Sequence, residues 1–207
     1  MVGNRNDGKG IWVAEPKLMT DAALAFANLW YETRAATSAA LPSKNDFPLR
    51  QLQPFMSRLA LIRFDAHRIA RYTLFGTRLV SDFGHEMTGE IVHEAMDPES
   101  LETLFSDLGS FFGEHGMDAP YGRWVAGQSQ AATGRKVEYE SLSLPYLEPS
   151  DQTVRLMMFA LPAADIGFDE VFHVGIHEIR SQIFLATDPR PDWMFLDPTR
   201  PRLAENV

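Results

Sequence analysis

IARYTLFGTRLVSDFGHEMTGE, residues 69–90, reads as a strand, a glycine turn, a short helix and a second glycine turn. Residues 69–75 combine aliphatic and aromatic side chains and stop at Gly76, as a strand does. Leu79, Val80 and Phe83 follow at i, i+1 and i+4, the stripe of a short helix pressed on a sheet, and Gly84 closes it. Upstream, residues 59–64 form another strand-like run, separated from 69–75 by a turn at 66–68, so the two strands form a hairpin.

Downstream, Asp97-Pro98 is an N-cap followed by proline at the first helical position. Leu101, Leu104, Phe105, Leu108, Phe111 and Phe112 then make the cleanest helical stripe in the chain, ended by Gly113 or Gly116; it should cover a sheet face. Strand-like segments 121–126, 136–144 and 153–161 come next, with polar turns at 127–134 and 148–152. Residues 168–180 read as helix or irregular chain, 181–186 as a strand, and 188–207 as a proline-punctuated tail.

On the N-terminal side, Thr20 or Asp21 caps a helix to about Thr33. Its Leu24, Phe26, Leu29, Trp30 and Tyr31 cover more than one face. Such a helix either docks on the domain or offers a dimer contact through Leu24, Leu29, Trp30 and Tyr31. Residues 41–48 form a proline-bracketed connection, with Pro48 at the start of a second short helix that Pro54 interrupts. Residues 1–20 are a lead-in in which Ile11, Trp12 and Val13 suit a short β-addition. The expected architecture is α+β, a five-stranded antiparallel sheet with helices packed on one face, plus an N-terminal helix and an irregular C-terminal extension. The divisions are 1–20, 21–163 and 164–207.

The 207 residues suit one domain with extensions, and 45% hydrophobic with 23% charged residues is a globular composition. A net charge of −9 argues against nucleic acid or an anionic membrane as main partner. The absence of cysteine excludes disulfides, thiolate metal sites and a cysteinyl flavin. The N-terminal MVGNRNDGKG has no apolar core of a secretory signal, and the longest apolar run, 156–164, contains Pro162 and is too short for a bilayer. A cytoplasmic location is expected.

Three stretches resemble the PAS domain, in its bacterial PAS-5 group: LWYETRAATSAALPSKNDFPLRQLQPFMSRLALIRFD (29–65), RYTLFGTRLVSDFGHEMTGE (71–90) and VEYESLSLP (137–145). Tyr72, Gly76, Thr77, Arg78, Leu79, Gly84 and Gly89 match best, and the resemblance spans about two thirds of the chain, 24–163. It implies a PAS-like fold and a sensory or protein-interaction module, non-enzymatic, that holds a small molecule or nothing between sheet and helices. It also implies a homodimer and, for a stand-alone module, output through a separate protein partner.

Candidate site residues follow. Phe75, Phe83, Trp124, Tyr139 and Met158 are those expected to border a cavity, with Arg78 at its mouth either holding an anionic group or making a salt bridge. His173 and His177, with Glu178, have the spacing of two ligands on a helix but lack a third, and His115, at the end of the long helix, is poorly placed for haem. No metal or cofactor is required. Ser81, Asp82 and His85 lie too close together to work as a triad, and Glu138 and Glu140 read as a solvated strand face. A second class, a cone-shaped isomerase-like enzyme, would need a buried carboxylate in the pocket, and Glu138, Glu140 and Tyr139 are what the strands offer it. A third is a dimerisation domain with a filled core.

Overall fold

The computed structural model describes residues 20–131, 133–162, 172–191 and 194; the β-addition considered at residues 11–13 lies outside them. Among the described residues four α-helices, α1 (Asp21–Ala35), α2 (Leu49–Leu52), α3 (Thr77–Phe83) and α4 (Pro98–His115), accompany six strands. These are β1 (Leu59–Phe64), β2 (Ala70–Phe75), β3 (Tyr121–Ala131), β4 (Lys136–Leu147), β5 (Val154–Pro162) and β6 (Phe172–Leu185). They form one antiparallel sheet in the order β2-β1-β5-β4-β3-β6. The fold is α+β, one antiparallel sheet with helices packed against it. The β1–β2 hairpin is built as expected: Asp65 Oδ1 accepts from the backbone N–H groups of His67 and Ile69, at 2.8 and 3.0 Å, and fixes the turn.

The sheet gains a sixth strand. Residues 168–180 were expected to be helical or irregular, but β6 begins at Phe172 and pairs with β3 from Ala131↔Phe172 to Tyr121↔Leu185. Each partner is about 40–60 residues away in sequence, a pairing that local patterning does not announce. The part of the C-terminal extension from 172 to 185 is therefore sheet.

Strand alternation gives the sheet two apolar faces. On β5, Met157 and Phe159 point to one face, and Leu156, Met158 and Ala160 to the other. The first face is covered by α1, whose Phe26, Ala27, Leu29 and Trp30 pack with Leu142, Leu144, Tyr146 and Phe159. The second carries the crossover between β2 and β3, where Leu79 of α3 and Met87 meet Ile62, Tyr72, Phe75 and Tyr139. Thr20 starts α1, its Oγ1 accepting from the Ala23 N–H at 3.2 Å. Gly84, at φ 78°, ends α3.

Pro145 lies inside β4, where a proline forfeits a ladder hydrogen bond. The fold accommodates it because β3 stops pairing with β4 at Arg123↔Ser143, two residues short of it. The vacated edge is taken over by other groups: Trp30 Nε1 donates to the Pro145 carbonyl at 2.8 Å, and the Leu147 N–H to the Pro42 carbonyl at 2.9 Å. The proline-bracketed connection thus extends the sheet edge, and Ser43 and Asp46 then close a capping box.

Helix α4 starts at Asp97, whose carboxylate accepts from the N–H groups of Glu99 and Ser100, both at 3.0 Å, and from the Ser100 hydroxyl. Partial burial pushes this carboxyl up, but those hydrogen bonds outweigh it and hold it below the usual range. A folded-state value below the unfolded one, about 3.9, stabilises the fold above that pH and ceases to do so as the pH falls through the folded-state value. Asp97→Ala should therefore cost about 1 kcal/mol in urea unfolding at pH 7. The gap between variant and wild type should narrow at pH 3; a gap of the same size at both values would mean that the cap owes nothing to ionisation.

Candidate functional site: a cavity beneath helix α4

The stripe of α4 does not close onto the sheet. Phe111 is buried, but Leu104 and Leu108 are only partly covered and Phe105 is 59% exposed. The reason is a cavity of about 220 Å³ between this helix and the crossover face. Its floor is the inward-facing side chains of five strands: Ile62 of β1; Tyr72 and Phe75 of β2; Leu156 and Met158 of β5; Tyr139, Ser141 and Ser143 of β4; Tyr121, Arg123 and Val125 of β3. Leu104, Phe105 and Leu108 form its roof, and Phe83, Met87, Val92, His93 and Met96 its wall.

The walls are mainly apolar, and their polar groups are donors or neutral. Burial pushes the Tyr121 phenol up to about 12 and moves Tyr72 and Tyr139 further in the same direction, so all three remain protonated at any physiological pH. Arg123 is the cation inside. Burial lowers its guanidinium from the ordinary value, opposed by Asp107, yet arginine stays charged in proteins. Its Nε donates to Ser181 Oγ at 3.0 Å, and a terminal nitrogen lies 3.8 Å from Asp107 Oδ2. Arg68 stands at the rim, hydrogen-bonded to the Met117 carbonyl at 2.7 Å and paired with Asp118 at 2.8 Å. Among the described residues, no Asp or Glu lines the cavity.

Of the residues singled out from the sequence, Phe75, Phe83, Tyr139 and Met158 line this cavity. Trp124 does not: alternation along β3 sends it to the opposite face, where its Nε1 donates to Glu140 Oε1 at 2.6 Å. Arg78 also lies outside the lining, ion-paired with Asp82 at 3.1 Å, while Arg58 donates to the other oxygen of that carboxylate at 2.9 Å. The salt-bridge alternative is the one realised for Arg78.

Glu140 corrects the reading of a solvated face. Glu138 is exposed, but Glu140 is 4% exposed and accepts from the Thr20 N–H at 3.1 Å as well as from Trp124, tying the start of α1 to the sheet. It faces α1, not the cavity, so the pocket carboxylate needed by an isomerase-like enzyme is not supplied there. Ser81, Asp82 and His85 do not converge: Ser81 Oγ donates to the Thr77 carbonyl at 3.1 Å, Asp82 is held by the two arginines, and His85 is exposed. His115 stacks on Phe111 at 4.6 Å and is not part of the cavity lining. His173, His177 and Glu178 fall on β6, so the helical face on which a metal was weighed does not form; their side chains lie outside the described residues. From the dimer set, Leu29 and Trp30 are buried against the chain's own sheet, whereas Leu24 and Tyr31 are half-buried.

Arg123, Ser141 and Ser143 were not singled out from the sequence. The signal was parity: once Tyr139 is assigned inward on β4, Ser141 and Ser143 share its face, and the cross-strand pair Arg123↔Ser143 places Arg123 there too.

No protein-family model matches the chain, and no curated protein matches it. Among solved structures, it is similar to the crystal structure of the PAS domain of a protein from Colwellia psychrerythraea, at 16% identity and a TM-score of 0.35. That match covers 55% of this chain and 95% of the other. No helix among the described residues is long and apolar enough to cross a membrane.

Proposed function

We propose that this chain is a PAS-type sensory or regulatory module of the bacterial PAS-5 group, acting as a cytoplasmic homodimer through contact with a separate protein. A small molecule held beneath α4 tunes that contact. The observation that carries this reading is the cavity itself: a sheet face lined by aromatic and apolar side chains is left unfilled under a helix whose Phe105 is exposed. Ligand sites are built in this manner, apolar walls with a few convergent polar groups. Occupancy of the floor would be felt by α4, whose outer face is exposed among the described residues. The net charge of −9 favours neither nucleic acid nor an anionic membrane as the partner.

Native mass spectrometry of the purified chain, repeated under denaturing conditions, tests the reading. The expected result is a dimer carrying a stoichiometric extra mass that denaturation releases. Met158→Trp, which fills the floor, should remain folded and lose that mass. A folded monomer with no bound mass would overturn the proposal; a ligand-free dimer would reduce it to an interaction module.

A further inference from the structure

The lining of the cavity specifies more than apolar character. A chain with nine more acidic than basic residues places no carboxylate among the described residues of this wall, and directs Arg123, Ser141 and Ser143 onto its floor. Arg123 and Ser143 are direct cross-strand partners, and Val125 and Ser141 are the next pair on the same face, so the three polar groups form one patch on the floor. Among the described residues, Ser181 and Asp107 engage the guanidinium only in part. Its Nε is bonded to Ser181 Oγ, but Asp107 Oδ2 at 3.8 Å lies beyond hydrogen-bond range and makes no hydrogen bond among the described residues. Among the described residues no hydrogen bond engages the terminal N–H groups of Arg123, and a planar guanidinium fork matches the two oxygens of a carboxylate.

Resting on the ligand-binding reading above, we infer that the cavity takes a small monocarboxylic acid with an apolar body, its carboxylate on Arg123 with Ser141 and Ser143. The apolar part lies over Ile62, Leu156 and Met158, against Phe75 and Phe83. Size limits the class. At about 220 Å³ the cavity is below the range of roughly 300–1,000 Å³ typical of drug-sized sites, which suits one ring with a short acid arm or a medium-length acyl chain.

The test is calorimetric titration of the full chain with aryl and alkyl monocarboxylates of about six to ten carbons, each run beside its primary amide. A charge-assisted contact to arginine predicts at least one acid bound one per chain and about tenfold or more tighter than its amide. Arg123→Gln should abolish that preference, and Arg123→Lys should keep part of it. The ratio of acid to amide in the wild type decides the matter even where a variant does not fold. Amides that bind as well as their acids, or better, would overturn the carboxylate assignment and leave the cavity a ligand site. If no acid and no amide binds, the carboxylate inference falls, and the native-mass experiment then decides separately whether the cavity holds any ligand at all.

Discussion

Trp30→Ala should destabilise the protein by about 3–5 kcal/mol, the largest effect expected of a single truncation here. Trp30 is fully buried, packs edge-on against Tyr31 at 4.9 Å and lies beneath the Arg34 guanidinium at 5.8 Å. Alanine would leave a cavity between α1 and the sheet and would also strand the carbonyl of Pro145, whose strand neighbour has already ended. Trp30→Phe separates the two terms. It keeps most of the apolar volume and loses the hydrogen bond, so it should cost about 1–3 kcal/mol. Urea unfolding monitored by far-ultraviolet circular dichroism measures both; equal losses for the two variants would show that packing contributes little and that the carbonyl is the whole effect.

Gly76→Ala should cost about 3 kcal/mol, seen as a fall in Tm of about 10 °C. The backbone of Gly76 is ordinary, with φ −66° and ψ 147°, so strain is not the reason. A Cβ there would lie 2.4 Å from the Ser57 carbonyl oxygen, 2.6 Å from its carbon and 2.8 Å from the Met56 oxygen. Those are backbone atoms of the segment leading into β1, and the Gly76 N–H is itself bonded to the Leu59 carbonyl at 2.8 Å, so neither side can withdraw. Gly89→Ala provides the contrast: its φ is 94° but no atom lies within 4 Å of the added carbon, so it should lose only about 1–2 kcal/mol. If Gly89→Ala proved the more damaging, close approach would not be what requires glycine at position 76.

The contrast marks how far the sequence could be read. The stop at Gly76, the Asp97-Pro98 start and the stripe of α4 are local features, and each lies where its chemistry demands. The resemblance to PAS domains and the strand runs were enough to anticipate the α+β sheet and its helical crossover. What sequence patterning did not convey is which face each strand turns inward. Trp124 is the larger of the two aromatic residues of β3 and attracts a cavity assignment, yet its neighbours Arg123 and Val125 line the site. Glu140 looks solvated beside Glu138 because the donors that bury it, the Thr20 N–H and the Trp124 indole, come from 120 and 16 residues away. Only the end of β6 was legible, as the strand read at 181–186; its first part, 172–180, was hidden for the same reason, since its strand character is settled by pairing with β3. The aromatic excess of α1, which suggested a dimer face, is in good part accounted for by Trp30 and Phe26 packing inside the chain.

The strand order also fixes a timetable for synthesis. β1 is paired on its inner side by β5, with Leu59 opposite Phe159, so the hairpin of β1 and β2 emerges without the strand that completes it. At roughly 5–20 residues per second, the 100 residues between those two positions take about 5–20 s to be made. During that interval α1 has no Glu140 to hold its first turn, no Pro145 carbonyl for Trp30 and no sheet face for Phe26. The nascent chain therefore leaves the ribosome with its most aromatic helix uncovered, and its final core closes only after the β4–β5 hairpin has arrived.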